Sequence, residues 1–99
     1  LEKKKITERD CQRIFVFCMR CFHPEIFTKM ISDTPGMNNS VGYDIILISE
    51  SKTIFIDLKT KKGKKENSQI TLQKEVETYE FIEYFFLVVD LERKTFYAI

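Results

Sequence analysis

The sequence predicts an α/β fold: a central mixed sheet flanked by helices, in the order α-β-β-β-α-β with one further edge strand. Three observations predict it. Apolar residues repeat at helical spacing from Cys11 to Phe22, three strand-like runs follow at 25–32, 43–48 and 53–59, and a second helical pattern leads into the continuous apolar run 84–90. A chain of 99 residues that is 43% apolar and 13% aromatic supports one core and is too short for two, so residues 1–99 are read as a single domain.

The elements follow in order, leaving aside Leu1-Glu2 as an end of the chain that carries no fold signal. Ile6-Thr7-Glu8-Arg9-Asp10 reads as a helix start, with Thr7 as N-cap and Glu8 and Asp10 in the first turn, where the helix dipole favours acids. Cys11, Ile14, Phe15, Cys18 and Phe22 recur at i, i+3, i+4, i+7 and i+11, the spacing of a buried stripe. Glu8 stands one turn before Cys11, at the edge of that stripe, and can reach toward the sheet. His23-Pro24 ends the helix, Glu25 to Ser32 can form a first strand, and the turn formers 33–40 make a loop placed to carry substrate contacts.

Tyr43 to Ile48 and Thr53 to Lys59 are strands joined by the turn Ser49-Glu50-Ser51-Lys52, an antiparallel hairpin. Ser68 to Thr71 offers N-cap residues for a helix that keeps Leu72, Val76 and Tyr79 at helical spacing. Tyr84 to Asp90 has the unbroken apolar pattern of a strand buried on both faces, and Thr95 to Ile99 can add an edge strand.

The hairpin carries the chemistry. Period-2 alternation sends Thr53, Phe55, Asp57 and Lys59 to one face and Ile54, Ile56 and Leu58 to the other, so Asp57 and Lys59 point the same way. Asp44 at the start of the first hairpin strand lies opposite the end of the second. Two neighbouring carboxylates repel and need a cation or basic group between them, and with one lysine they can hold a divalent ion beside a phosphate, as a metal-dependent nuclease requires.

A formal net charge of +1 does not point to a polyanion, but the distribution does: Lys59, Lys61, Lys62, Lys64 and Lys65 crowd the end of the Asp57 strand. Lys61, Lys62, Lys64 and Lys65 are candidate nucleic-acid contacts, with a solvated loop as the bland reading. The three cysteines all fall between Cys11 and Cys21, and no charge-free apolar stretch approaches ~18 residues, so neither a disulfide scaffold nor a membrane span is expected. With no leader peptide in evidence, the expected setting is intracellular, cytoplasmic if the source is bacterial or phage. Cys18, Cys21 and His23, with Cys11, have the residue types of a zinc cluster, but ligands so spaced along one helix do not converge on one ion. Phe15, Phe22, Phe55, Phe85 and Phe86 fall on faces assigned to the core, and Glu75, Glu77, Glu80 and Glu83 read as a solvated helix face.

The ordered set of Glu8, Gly42-Tyr43-Asp44, Asp57-Leu58-Lys59 and a glutamine on the following helix resembles the PD-(D/E)XK nuclease superfamily. Within it, the chain is most similar to stand-alone virus-type replication-repair nuclease (VRR-NUC) domains. Two departures stand out: Tyr43 sits where the superfamily name has proline, and the glycine spacing is one residue shorter. The resemblance implies a restriction-endonuclease-like core and a Mg²⁺- or Mn²⁺-dependent endonuclease acting on structured DNA such as junctions or flaps, commonly as a homodimer. It implies catalytic roles for Asp44, Asp57, Lys59, Glu8 and a glutamine, Gln73 by its place at the helix start with Gln69 as fallback. The metal ligands would be Asp44, Asp57, the Leu58 carbonyl and Glu8. Two competing readings are a catalytically silent nuclease-fold module that binds nucleic acid or serves assembly, and an unrelated α/β interaction domain, in which Asp44 and Asp57 would lie too far apart to share a cation.

Overall fold

The computed structural model describes residues 5–33, 42–60, 67–93 and 95–98. Helix α1 (Glu8–Phe22) starts at a complete capping box: Thr7 Oγ1 accepts from the Asp10 amide at 3.1 Å and Asp10 Oδ2 accepts from the Thr7 amide at 3.0 Å. Strand β1 (Phe27–Met30) and a 3₁₀ turn (Ile31–Asp33) follow, then β2 (Ile45–Ile48), β3 (Thr53–Lys59), α2 (Asn67–Val76), β4 (Ile82–Asp90) and β5 (Thr95–Ala98).

These strands form one mixed sheet in sequence order, β1-β2-β3-β4-β5. Every neighbouring pair is antiparallel except β3 and β4, which run parallel. A parallel pair needs a crossover, and the segment containing α2 supplies it. The β2–β3 hairpin closes through Ser49 and Lys52, with the Ser49 amide donating to the Lys52 carbonyl at 2.9 Å.

Strand alternation divides the side chains between two layers. Ile45, Leu47, Ile56 and Leu58 join Val16 of α1 and Met30 of β1 in the main buried cluster. Across the sheet, the register sets Asp57 beside Phe86 and Lys59 beside Val88, and both apolar partners are buried. Arg20 fastens α1 to the outer strand by donating two hydrogen bonds, at 3.0 and 3.3 Å, to the Thr28 carbonyl.

Helix α1 does not bury the stripe expected from its spacing. Gln12 and Val16 are its buried residues, with Cys11, Phe15 and Met19 packed partly against the core, whereas Ile14 is 54% and Phe22 77% exposed and Cys18 is also exposed. Apolar residues run round this helix from Ile14 through Cys18, so several faces satisfy a 3.6-residue period. The sheet selects the face centred on Val16.

Strand β4 likewise departs from burial on both faces. Phe86 and Val88 are covered on one side, while Phe85 remains 38% exposed. Between α1 and β4, Ile14, Phe15 and Cys18 face Leu87 and Val89 across an apolar groove of about 620 Å³. Of the phenylalanines expected in the core, Phe86 is fully buried, Phe15 and Phe55 are half-buried, and Phe22 and Phe85 face outward. No described helix is long and apolar enough to cross a membrane.

The chosen helix face has a measurable consequence. Val16→Ala should destabilise the protein by roughly 1–3 kcal/mol in a denaturant melt, since it empties packed volume, while Ile14→Ser should stay within about 0.5 kcal/mol of the parent. Equal losses at the two positions would mean the helix buries its other face.

Candidate functional site

Three backbone contacts fix Asp44 just before β2. Its amide donates to the Ile56 carbonyl at 2.9 Å, its carbonyl accepts from the Ile31 amide at 2.8 Å, and its carboxylate Oδ2 accepts from the Leu58 amide at 3.1 Å. Asp57 and Lys59 share the face that alternation assigns them. Asp57 is 1% exposed, and the Asp44 carboxylate beside it raises its pKa. A pocket of about 380 Å³ opens here, bordered by Glu8, Gln12, Asp44, Asp57, Lys59 and Gln69.

The Lys59 ammonium sits 3.4 Å from Asp57 Oδ1 and 3.9 Å from Glu8 Oε2. Burial works against its charge, but Asp57, Asp44 and Glu8 together outweigh burial and hold Lys59 above the usual lysine range. Glu8 also accepts a hydrogen bond from the Thr60 amide at 3.0 Å through Oε1, which ties the start of α1 to the end of β3. Glu8 therefore serves both the lysine and the strand end.

Asp57 is the electrostatically costly residue. Burial, then the adjacent Asp44 carboxylate, push its pKa up to about 8, with Lys59 opposing them. Its Oδ2 accepts from Gln69 Nε2, while Oδ1 is buried without a hydrogen bond, the ammonium at 3.4 Å being a charge contact only. A buried carboxylate oxygen without a donor, next to a second carboxylate, is the donor set a hard divalent cation takes. Asp44 and Asp57 fit such an ion. No three His, Cys, Asp or Glu side chains among the described residues form a metal cage, so Glu8 does not complete a third acidic ligand in this arrangement.

The Leu58 carbonyl, expected as a backbone ligand, accepts a hydrogen bond from Gln12 Nε2 at 3.3 Å and keeps its second lone pair. The glutamine assignment changes. Gln69, 4% exposed, is the residue on Asp57, and Gln73, one helical turn on, borders a separate hollow with Val76 and Tyr84. Helix α2 begins at Asn67, earlier than the Ser68 to Thr71 caps expected from the sequence, and this puts Gln69 in the first turn.

Two features were missed in the sequence. Gln12 stands four residues after Glu8, so helical spacing aims both at the same end of β3, a signal hidden by assigning the buried face to Cys11 and Ile14. Tyr84 donates from its hydroxyl to the Gly42 carbonyl at 3.3 Å, tying β4 to the segment that leads into Asp44. Gly42 has φ +87°, and a Cβ there would stand 3.0 Å from the Ser68 carbonyl oxygen, so glycine is required where this segment meets α2.

Lys61, Lys62, Lys64 and Lys65 lie outside the described residues, as do residues 34–40 of the loop expected over the site. Cys18 and Cys21 are exposed, Cys11 is half-buried, and His23 pairs with Glu25 at 3.4 Å. No protein-family model, curated protein or solved structure matches this chain. Its functional reading rests on its own residues.

Asp57 gives the metal-free protein a pH signature. A carboxyl whose pKa is raised on folding favours the folded state fully below its ordinary value near ~3.9, and that contribution is lost as pH rises through about 8. In EDTA, the melting temperature should carry a declining component across this window, and Asp57→Asn should remove it and melt higher than the parent at about pH 8.5. A parent and variant with parallel profiles would show that Asp57 does not bear this strain.

Proposed function

We propose that this chain is a Mg²⁺- or Mn²⁺-dependent endonuclease with a PD-(D/E)XK, restriction-endonuclease-like core, hydrolysing phosphodiester bonds of structured DNA such as junctions and flaps. One observation carries the reading: Asp44, Asp57 and Lys59 border a single pocket, and a buried oxygen of Asp57 there has no hydrogen-bond donor. The VRR-NUC resemblance names the substrate class and a homodimer. Two copies would present two sites to a branched duplex.

Asp44, Asp57 and the Leu58 carbonyl would hold the cation. When bound, such an ion acidifies a coordinated water and polarises the scissile phosphate. Lys59 stays charged through the neutral range, so it can orient the attacking oxygen and offset negative charge that builds on the phosphate. Gln69 fixes the Asp57 carboxylate by donating to Oδ2, and Glu8 holds Lys59 from the opposite side. Lys61, Lys62, Lys64 and Lys65 follow β3 directly in sequence and would extend the positive surface along the DNA backbone.

A second reading, a nuclease-fold module without catalysis, draws on the two-carboxylate site, which offers a cation fewer charges than a three-acid cage. Calorimetric titration with Mn²⁺ separates the two. Binding that is lost in Asp44→Asn supports the enzyme, and no binding by the parent supports the silent module.

For catalysis, Lys59→Ala should reduce cleavage of branched DNA by about 10²-fold or more while the thermal melt stays cooperative. EDTA should abolish cleavage by the parent. Full activity in a folded Lys59→Ala protein would eliminate this mechanism. Replacing Lys61, Lys62, Lys64 and Lys65 by neutral residues should flatten the dependence of DNA affinity on salt, and an unchanged slope would return them to solvent.

A further inference from the structure

We propose that Gln12 completes the cation site by supplying its amide oxygen as a neutral third side-chain ligand, with its amide nitrogen anchored on the Leu58 carbonyl; this rests on the nuclease reading above. The side chain is 9% exposed, yet it borders the same pocket as Asp44 and Asp57. A carbonyl oxygen can only accept, so the atom 3.3 Å from Leu58 O is the nitrogen and the carboxamide oxygen lies on the other branch. That oxygen accepts no hydrogen bond from any described residue. An amide oxygen open to a polar pocket beside two carboxylates is placed to take a hard cation or its coordinated water.

The neighbouring geometry supports the choice. Asp44 Oδ2 accepts from the Leu58 amide, and Gln12 Nε2 donates to the Leu58 carbonyl, so the two peptide groups flanking Leu58 are each held by a residue of the site. Both clamps lie on the backbone between Asp57 and Lys59. Glu8, the alternative third ligand, is already committed to the Thr60 amide and the Lys59 ammonium. A neutral oxygen also spares the site a third negative charge next to two carboxylates that already repel. Divalent hard cations accept glutamine carbonyls alongside carboxylates and water.

The test is Mn²⁺ titration by calorimetry on the full chain as parent, Gln12→Met and Gln12→Glu, with thermal melts in EDTA. Methionine matches the length but offers no amide, and should weaken Mn²⁺ binding roughly 10-fold or more. Glutamate restores an oxygen while losing the donor to Leu58, and should bind Mn²⁺ at least as tightly as the parent. Equal affinity in parent and Gln12→Met overturns the assignment and leaves the nuclease reading intact, as does equal weakening in both variants. If the parent itself binds no Mn²⁺, the nuclease reading fails first. Should Gln12→Met not fold, the parent decides by carbon NMR: the Gln12 carboxamide carbon should shift on Mg²⁺ addition, and an unmoved signal overturns the proposal.

Discussion

The structure turns on one buried carboxyl group. Asp57 sits in the middle of the sheet, almost sealed from water, beside a second carboxylate and opposite a fully buried phenylalanine. An ionised group in such a place is unfavourable unless other groups answer it. The surrounding elements supply those groups: β3 supplies Lys59, α2 supplies Gln69, and the approach to β2 supplies Asp44, whose own carboxylate is tied to the backbone of β3. The answer is incomplete, because one oxygen of Asp57 lacks a hydrogen bond. That remainder is what makes the pocket a candidate cation site and more than a buried ion pair.

Helix α1 joins this site to the core. Its inward face carries Val16 into the apolar cluster, and toward its start the same face carries Gln12 and Glu8 to the end of β3. Packing and chemistry thus share one helix orientation. Rotating α1 to bury Ile14 and Cys18 would withdraw Gln12 from the Leu58 carbonyl and Glu8 from the Thr60 amide. The cost of the chosen orientation is visible on the outside, where Ile14, Phe17 and Phe22 stay exposed and an apolar groove remains beside β4.

Where local rules act alone, the sequence was informative. The Thr7 cap, the hairpin turn at Ser49 to Lys52 and the strand alternation that sends Asp57 and Lys59 together are each set by residues within a few positions of one another. The pairing of Asp44 with Asp57 was also legible, because a short hairpin leaves little choice of register. The face of α1 was not, since its apolar residues surround the helix and only the sheet decides between them. The site glutamine was misassigned for a related reason: Gln69 and Gln73 stand one turn apart on one helical face, and only the packing of α2 decides which of them meets Asp57.

Sequence by itself determined the α/β order and the three charged groups of the hairpin, because alternation and turn chemistry are properties of short segments. The tertiary structure decided what surrounds them: that Asp57 is buried, that Glu8 reaches Lys59 from a helix about fifty residues away, and that Gln69 and Gln12 close in from opposite layers. Burial and long-range hydrogen bonds depend on which faces meet across the sheet. No local pattern encodes that choice when more than one face is apolar.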